Sequence, residues 1–153
     1  MKSGMEYTTG NIGRIFFLRV DHGEDLIEAL QIISKKENIR SAFFFLLGAI
    51  SQAELVAGPK EASVPPVPIW VKIETPHEII GIGNVFYEGD DPRVHLHCSI
   101  GRDEIARTGC LRNQSKAFMV NEVCILEISG MVATRRNDGL KGYSPVTFGK
   151  TSD

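Results

Sequence analysis

The sequence predicts an α+β fold: a single compact domain with a mainly antiparallel sheet and packed helices. Three observations carry this. One segment has strong helical periodicity, while seven or eight others are rich in β-formers. The strand-like segments follow one another through short links, which favours antiparallel or mixed pairing over helical crossovers. The chain has 153 residues, 42% of them hydrophobic, enough for one domain with a real core and too few for two.

Residues 15–20, Ile-Phe-Phe-Leu-Arg-Val, read as the first strand, broken by Asp21, His22 and Gly23. Glu24 and Asp25 open a helix, where carboxylates meet the free N–H groups and the positive end of the dipole. Leu26, Leu30 and Ile33 share one helical face, with Ile27 beside them, while Glu28, Gln31 and Lys35 lie opposite. The helix is expected to end near Asn38. Residues 43–47 form an unbroken apolar run, the pattern of a strand covered on both faces. Gly48 marks a bend or bulge after it.

Residues 52–57 and 69–74 are two further strands, separated by a proline-rich loop at 58–68. Residues 78–87 are another, thinned by Gly81 and Gly83. Residues 93–100 alternate: Val94, Leu96 and Cys98 face one way, His95, His97 and Ser99 the other. Residues 117–120 and 123–128 supply the last strands. The domain is expected over residues 12–142, with 1–11 and 143–153 as terminal extensions.

Seventeen Lys and Arg stand against nineteen Asp and Glu, a formal charge of −2. A protein that coats duplex DNA carries a basic excess, and this chain has none. Its three cysteines, Cys98, Cys110 and Cys124, are an odd number at irregular spacing, which argues against a disulfide framework and for a reducing compartment. The N-terminal residues hold no apolar signal core, and the longest apolar run is far below the roughly 20 residues that span a bilayer. A soluble, cytoplasmic protein is expected.

The chemistry concentrates in Val94-His95-Leu96-His97-Cys98. Side chains at i and i+2 of a strand share a face, so His95 and His97 present two imidazoles to one ion while Leu96 packs inward. Zinc takes four ligands, or three protein ligands plus water at a catalytic site. Cys110, after the turn-like Thr108-Gly109, is the natural third ligand, because a strand-loop-strand return brings it back to the histidines. The same pattern also describes a partly exposed polar strand face without any ion. Cys98 points away from the histidines and reads as a small core residue, as does Cys124.

Glu122, at the start of the last strand, is a candidate to orient a ligand or act as general base, or else a solvated carboxylate. His22 and His77 read as surface residues. Arg102, Arg107 and Arg112 make either a local positive face suited to an anionic ligand or a solvated loop. Arg135-Arg136 is a basic pair too small to argue for nucleic acid. Gly81-Ile82-Gly83 opens no helix, so no nucleotide fingerprint is present, and there is no nucleophile-elbow serine.

The order of these motifs resembles the plants and prokaryotes conserved (PPC) domain family over roughly residues 12 to 142. The resemblance rests on residues 18–26 (Leu-Arg-Val-Asp-His-Gly-Glu-Asp-Leu), Leu47-Gly48-Ala49-Ile50, residues 78–85 with their Gly83-Asn84 pair, His95-Leu96-His97, Thr108-Gly109-Cys110-Leu111 and Asn121-Glu122-Val123. It implies a homotrimer. It also implies a metal site, zinc by its donors, from the two histidines and a later glycine-histidine motif, which falls on His95, His97 and Cys110. Here the chain departs from the family pattern, since Cys110 stands where the family has histidine. A thiolate preserves zinc binding, or the site has drifted and binds none. Plant members join this domain to AT-hooks, whose Arg-Gly-Arg core reads the minor groove; this chain has no such core.

Three functions are expected in descending order. The first is a homotrimeric binding or regulatory protein with a His/Cys site for a metal or small ligand. The second is a zinc-dependent enzyme acting on a small anionic molecule, with Glu122 moving the proton. The third is a DNA-binding protein, which the charge balance disfavours.

Overall fold

Hydrogen-bonded strands dominate residues 4–149, the part of the chain that the computed structural model describes. In chain order the elements are β1 (Asn11–Asp21), α1 (Leu26–Lys36), β2 (Ser41–Pro59), β3 (Pro68–Ile73), β4 (His77–Glu88), β5 (Asp91–Arg102), β6 (Ile105–Ser129), β7 (Ala133–Arg135) and β8 (Val146–Phe148). The fold is therefore mainly β, and the expected α+β class with packed helices is overturned. The sequence carries one amphipathic segment, and one helix of 11 residues forms. A full helical layer is not needed, because the sheet closes on itself and α1 alone completes its core with Leu26 and Leu30.

Closure comes from β2 and β6, strands of 19 and 25 residues that each pair with three others. The first half of β2 pairs with β4, β4 with β5, β5 with the first part of β6, and β6 returns to β2 along its length. The ring is antiparallel throughout. Phe44, Ile79, Val85, Leu96, Ile100 and Leu111 fill it and are buried. β1 lies on the outer half of β6, β3 on the second half of β2, and the β7–β8 hairpin beside β4.

Local chemistry explains why these strands run so long. Gly48 has φ +150°, and a Cβ there would meet the Val120 carbonyl and Asn121. The register between β2 and β6 slips at this bulge, so β2 bends and continues where two strands were expected. β6 does the same across residues 117–128, and Thr108-Gly109 lies within it instead of forming a turn. Gly83 sits where a side chain would overlap the Phe44 ring. Gly83 thus makes room for the largest fully buried side chain.

Asp25 is the N-cap of α1, its side chain accepting from Glu28 N. It also accepts from the backbone N–H and Oγ of Ser115, which ties the helix to β6. Burial alone would raise this carboxyl, but the hydrogen bonds from Glu28 and Ser115 outweigh it and hold the group below its ordinary value. Leu26, Leu30 and Ser34 form the buried side of the helix. No helix among the described residues is long and apolar enough to cross a membrane.

One face of the sheet is bare. Phe44 and Leu46 point inward, yet Phe43, Phe45 and Leu47 are exposed, so residues 43–47 are not covered on both faces as expected. Ile15 and Phe17 on β1, with Ile80 and Ile82 on β4, continue the same face across paired positions.

Candidate metal centre

Strand alternation sets the site. His95 and His97 lie opposite Asn84 and Ile82 of β4, with Leu96 buried between them against Gly83 and Leu111. The β5–β6 hairpin, turned through Asp103 at φ 56°, places Cys110 directly opposite His97. The ligand atoms of His95, His97 and Cys110 all lie within 4.8 Å of one another. These are the three residues that spacing and family resemblance single out.

The two imidazoles meet edge to face, with ring centroids 4.9 Å apart and their Nε2 atoms 3.1 Å apart. Two nitrogens bound tetrahedrally to zinc at ordinary bond lengths stand about 3.3 Å apart. The pair is therefore spaced to share an ion with little movement, and two imidazoles with a thiol suit zinc better than calcium or magnesium.

The histidines differ in environment. His95 is half-buried and His97 exposed. Burial first, then the neighbouring Arg135, His97 and Arg112, lower His95 from 6.5 to about 4. At neutral pH its ring is neutral and keeps a lone pair to donate. Arg135 Nη2 faces His95 Nδ1 at 3.4 Å, which favours the proton on Nε2, but the contact is long and weak. Burial raises the Cys110 thiol, while the same two arginines pull it back down. An ion would complete its deprotonation.

Other candidates lie elsewhere. Glu122 is exposed, opposite Leu47 and Arg19, with β2 and β4 between it and β5. It does not join the cluster. Cys98 points into the core, and burial drives its thiol up to about 12. All three cysteines are free, and Cys124 is buried in β6. His22 accepts from Met119 N, and His77 lies against the Thr75 carbonyl. Arg102 and Arg107 line no part of the cleft beside the cluster, whereas Arg112 does. Arg135 does too, in a position that sequence reasoning missed. No local pattern marks it, because the Ala133–Arg135 strand reaches β4 through one parallel pairing of Tyr87 with Thr134.

Among solved structures, the fold is similar to a metal-containing protein of Archaeoglobus fulgidus, with TM-score 0.81 and 26% identity, covering 92% of this chain and 98% of that one. It is also similar to a plant- and prokaryote-conserved protein of Pyrococcus horikoshii, with TM-score 0.80 and 24% identity over 97% and 99% of the two chains. A candidate DNA-binding protein of Bacteroides thetaiotaomicron has TM-score 0.76 and 21% identity, over 92% and 96%. No curated protein matches the chain. The model of the Plants and Prokaryotes Conserved (PCC) domain matches residues 7–129, carrying β1 through β6 and all three clustered side chains. The chain belongs to the Plants and Prokaryotes Conserved domain family.

Proposed function

We propose that the protein is a homotrimeric binding or regulatory protein whose His95, His97 and Cys110 side chains hold a zinc ion at a small-ligand site. The observation that carries this is the convergence of the three ligand atoms within 4.8 Å. The relative from Archaeoglobus fulgidus, described as metal-containing, supports it. The assembly half rests on the bare apolar face. Its seven side chains, Ile15, Phe17, Phe43, Phe45, Leu47, Ile80 and Ile82, make a contiguous patch of the kind monomeric soluble proteins avoid.

Each residue has a distinct part. His95, neutral through burial, offers one nitrogen; His97 offers the second from the exposed side; Cys110 supplies a charged sulfur once its proton leaves. Zinc held by these three groups would supply Lewis acidity there. The enzymatic reading, a zinc-dependent reaction on a small anion, is favoured by that three-donor count. Glu122, the base that reading names, is separated from β5 by β2 and β4. DNA binding, named as a candidate property of the Bacteroides relative, is opposed here by a net charge of −2.

The test is metal analysis of untagged protein purified without chelators. About one zinc per chain is expected, with His97→Ala and Cys110→Ser each lowering metal affinity by tenfold or more. Metal-free wild type that takes up no added zinc overturns the metal reading. Light scattering at micromolar concentration should give three times the chain mass, and a monomer overturns the assembly.

A further inference from the structure

Beside the histidines lies a cleft of about 630 Å³, between β5, the first part of β6 and the β7–β8 hairpin. Asn84, His95, Arg112, Arg135, Tyr143 and Val146 are among its walls. Its charge is out of keeping with the chain. The protein as a whole is acidic, yet two arginines meet here without an acid to match them.

Arg135 is half-buried. Nη1 donates to the Ser144 carbonyl at 2.6 Å, and Nη2 donates to Asn84 Oδ1 at 2.8 Å and faces His95 Nδ1. All of these partners are neutral. Nε is buried with no hydrogen-bond partner, and one Nη1 hydrogen is also unused. Arginines removed from water are ordinarily paired with a carboxylate. The one acid in the cleft wall, Glu88, is engaged by Arg93 at 2.9 Å. Arg112 sits two residues beyond Cys110, lines the same cleft, and has no hydrogen bond or ion pair among the described residues.

We propose that this cleft binds a small molecule by its carboxylate or phosphate group, with Arg135 and Arg112 as the anion-recognising residues. Guanidinium groups suit such oxyanions because they are permanently charged and offer planar sets of N–H donors. The volume is that of a small-molecule pocket. His95 is common to the cleft and the metal cluster, so a ligand anchored on the arginines meets the cluster at His95. The inference deepens the reading above, since it supplies the chemical class of that site's ligand. Anion capture by two arginines needs no metal, so the two ideas can fail separately.

The test is calorimetric titration of the full, chelator-treated protein with inorganic phosphate and, separately, succinate. At least one should bind with a dissociation constant below about 10 mM, and which one binds distinguishes phosphate from carboxylate ligands. Arg135→Gln should weaken it at least tenfold and Arg112→Gln about threefold or more. Arg136→Gln, exposed and outside the cleft wall, should leave it unchanged. If Arg135→Gln does not fold, Arg112→Gln decides, because its side chain is exposed and unpaired. Failure of both anions to bind, or equal binding by all three variants, overturns the proposal. So does tight, salt-dependent binding of a short DNA duplex that neither anion displaces, which would assign the arginines to nucleic acid instead. Arginine-dependent anion binding by a protein that takes up no zinc upholds this inference while defeating the metal reading.

Discussion

Replacing Ile80 with Asp puts the assembly to its most direct test. Ile80 is 64% exposed at the middle of the bare face, between Leu47 of β2 and Ser99 of β5. Fully burying an isoleucine side chain is worth about 1.5–3 kcal/mol, so covering the exposed part of Ile80 contributes about 1–2 kcal/mol per protomer. The seven residues of the face together leave about four side chains' worth of apolar surface in water, or roughly 6–12 kcal/mol per protomer on burial. Aspartate removes the first contribution and adds the desolvation of an unpaired carboxylate, at least about 2 kcal/mol more. A net loss of about 3–4 kcal/mol per protomer weakens association more than a hundredfold. Because Ile80 points outward, the isolated chain should keep its fold. Light scattering at micromolar concentration should find wild type assembled and Ile80→Asp monomeric, with unchanged circular dichroism. Ile32→Asp, exposed on α1 away from this face, is the control and should stay assembled. An assembly that survives Ile80→Asp and Phe17→Asp alike would refute the reasoning.

Other outcomes follow from the packing and charges. Asp25→Ala should cost about 1–3 kcal/mol in urea denaturation, since it removes the helix cap and the bonds from Ser115. Because the Asp25 carboxyl is held low in the folded chain, its contribution is present above the unfolded value near 3.8 and fades as pH falls below it. Gly83→Ala should lower stability by about 2 kcal/mol or more, because the new methyl meets both the Phe44 ring and the His95 carbonyl; Phe44→Leu in the same chain relieves only the first and should recover part of the loss in a melting experiment. In metal-free protein, His95 resists protonation until about pH 4 while the unfolded chain takes up the proton near 6.5. Stability should therefore decline as pH falls from 6.5 towards 4, by about 1–2 kcal/mol once the ring's partial exposure is allowed for. His95→Gln should flatten that part of the denaturation-against-pH curve.

Local signals in the sequence were enough for α1, whose apolar spacing and Asp25 cap are contained within a few residues. They were enough for the shared face of His95 and His97, which needs only the two-residue period of a strand. Cys110 depended on the return of a hairpin and on family resemblance, and the hairpin turns at Asp103, well before the Thr108-Gly109 pair that looked like the turn. The fold class is not legible in local signals, because ring closure is a property of pairing at long range. Nothing in residues 41–59 announces that one strand will serve β4, β6 and β3. Phe43, Phe45 and Leu47 read as core because a strand buried on both faces and a strand with one bare apolar face have the same composition. Arg135 was invisible for a related reason: its neighbours Asn84 and His95 are 51 and 40 residues away in sequence.

The double duty of β6 has a mechanical consequence. The segment bearing Cys110 is stitched to β5 on one side and to β2 on the other, and the same strand runs on to hold β1. It cannot peel off alone, because every partner it would leave is itself part of the loop of strands. Amide protons of Cys110 and Leu111, paired on both sides, should thus exchange with deuterium as slowly as the slowest in the molecule, through global opening only. The sulfur is carried by the most firmly fastened thread in the weave, whereas Arg135 hangs from a three-residue strand at its margin.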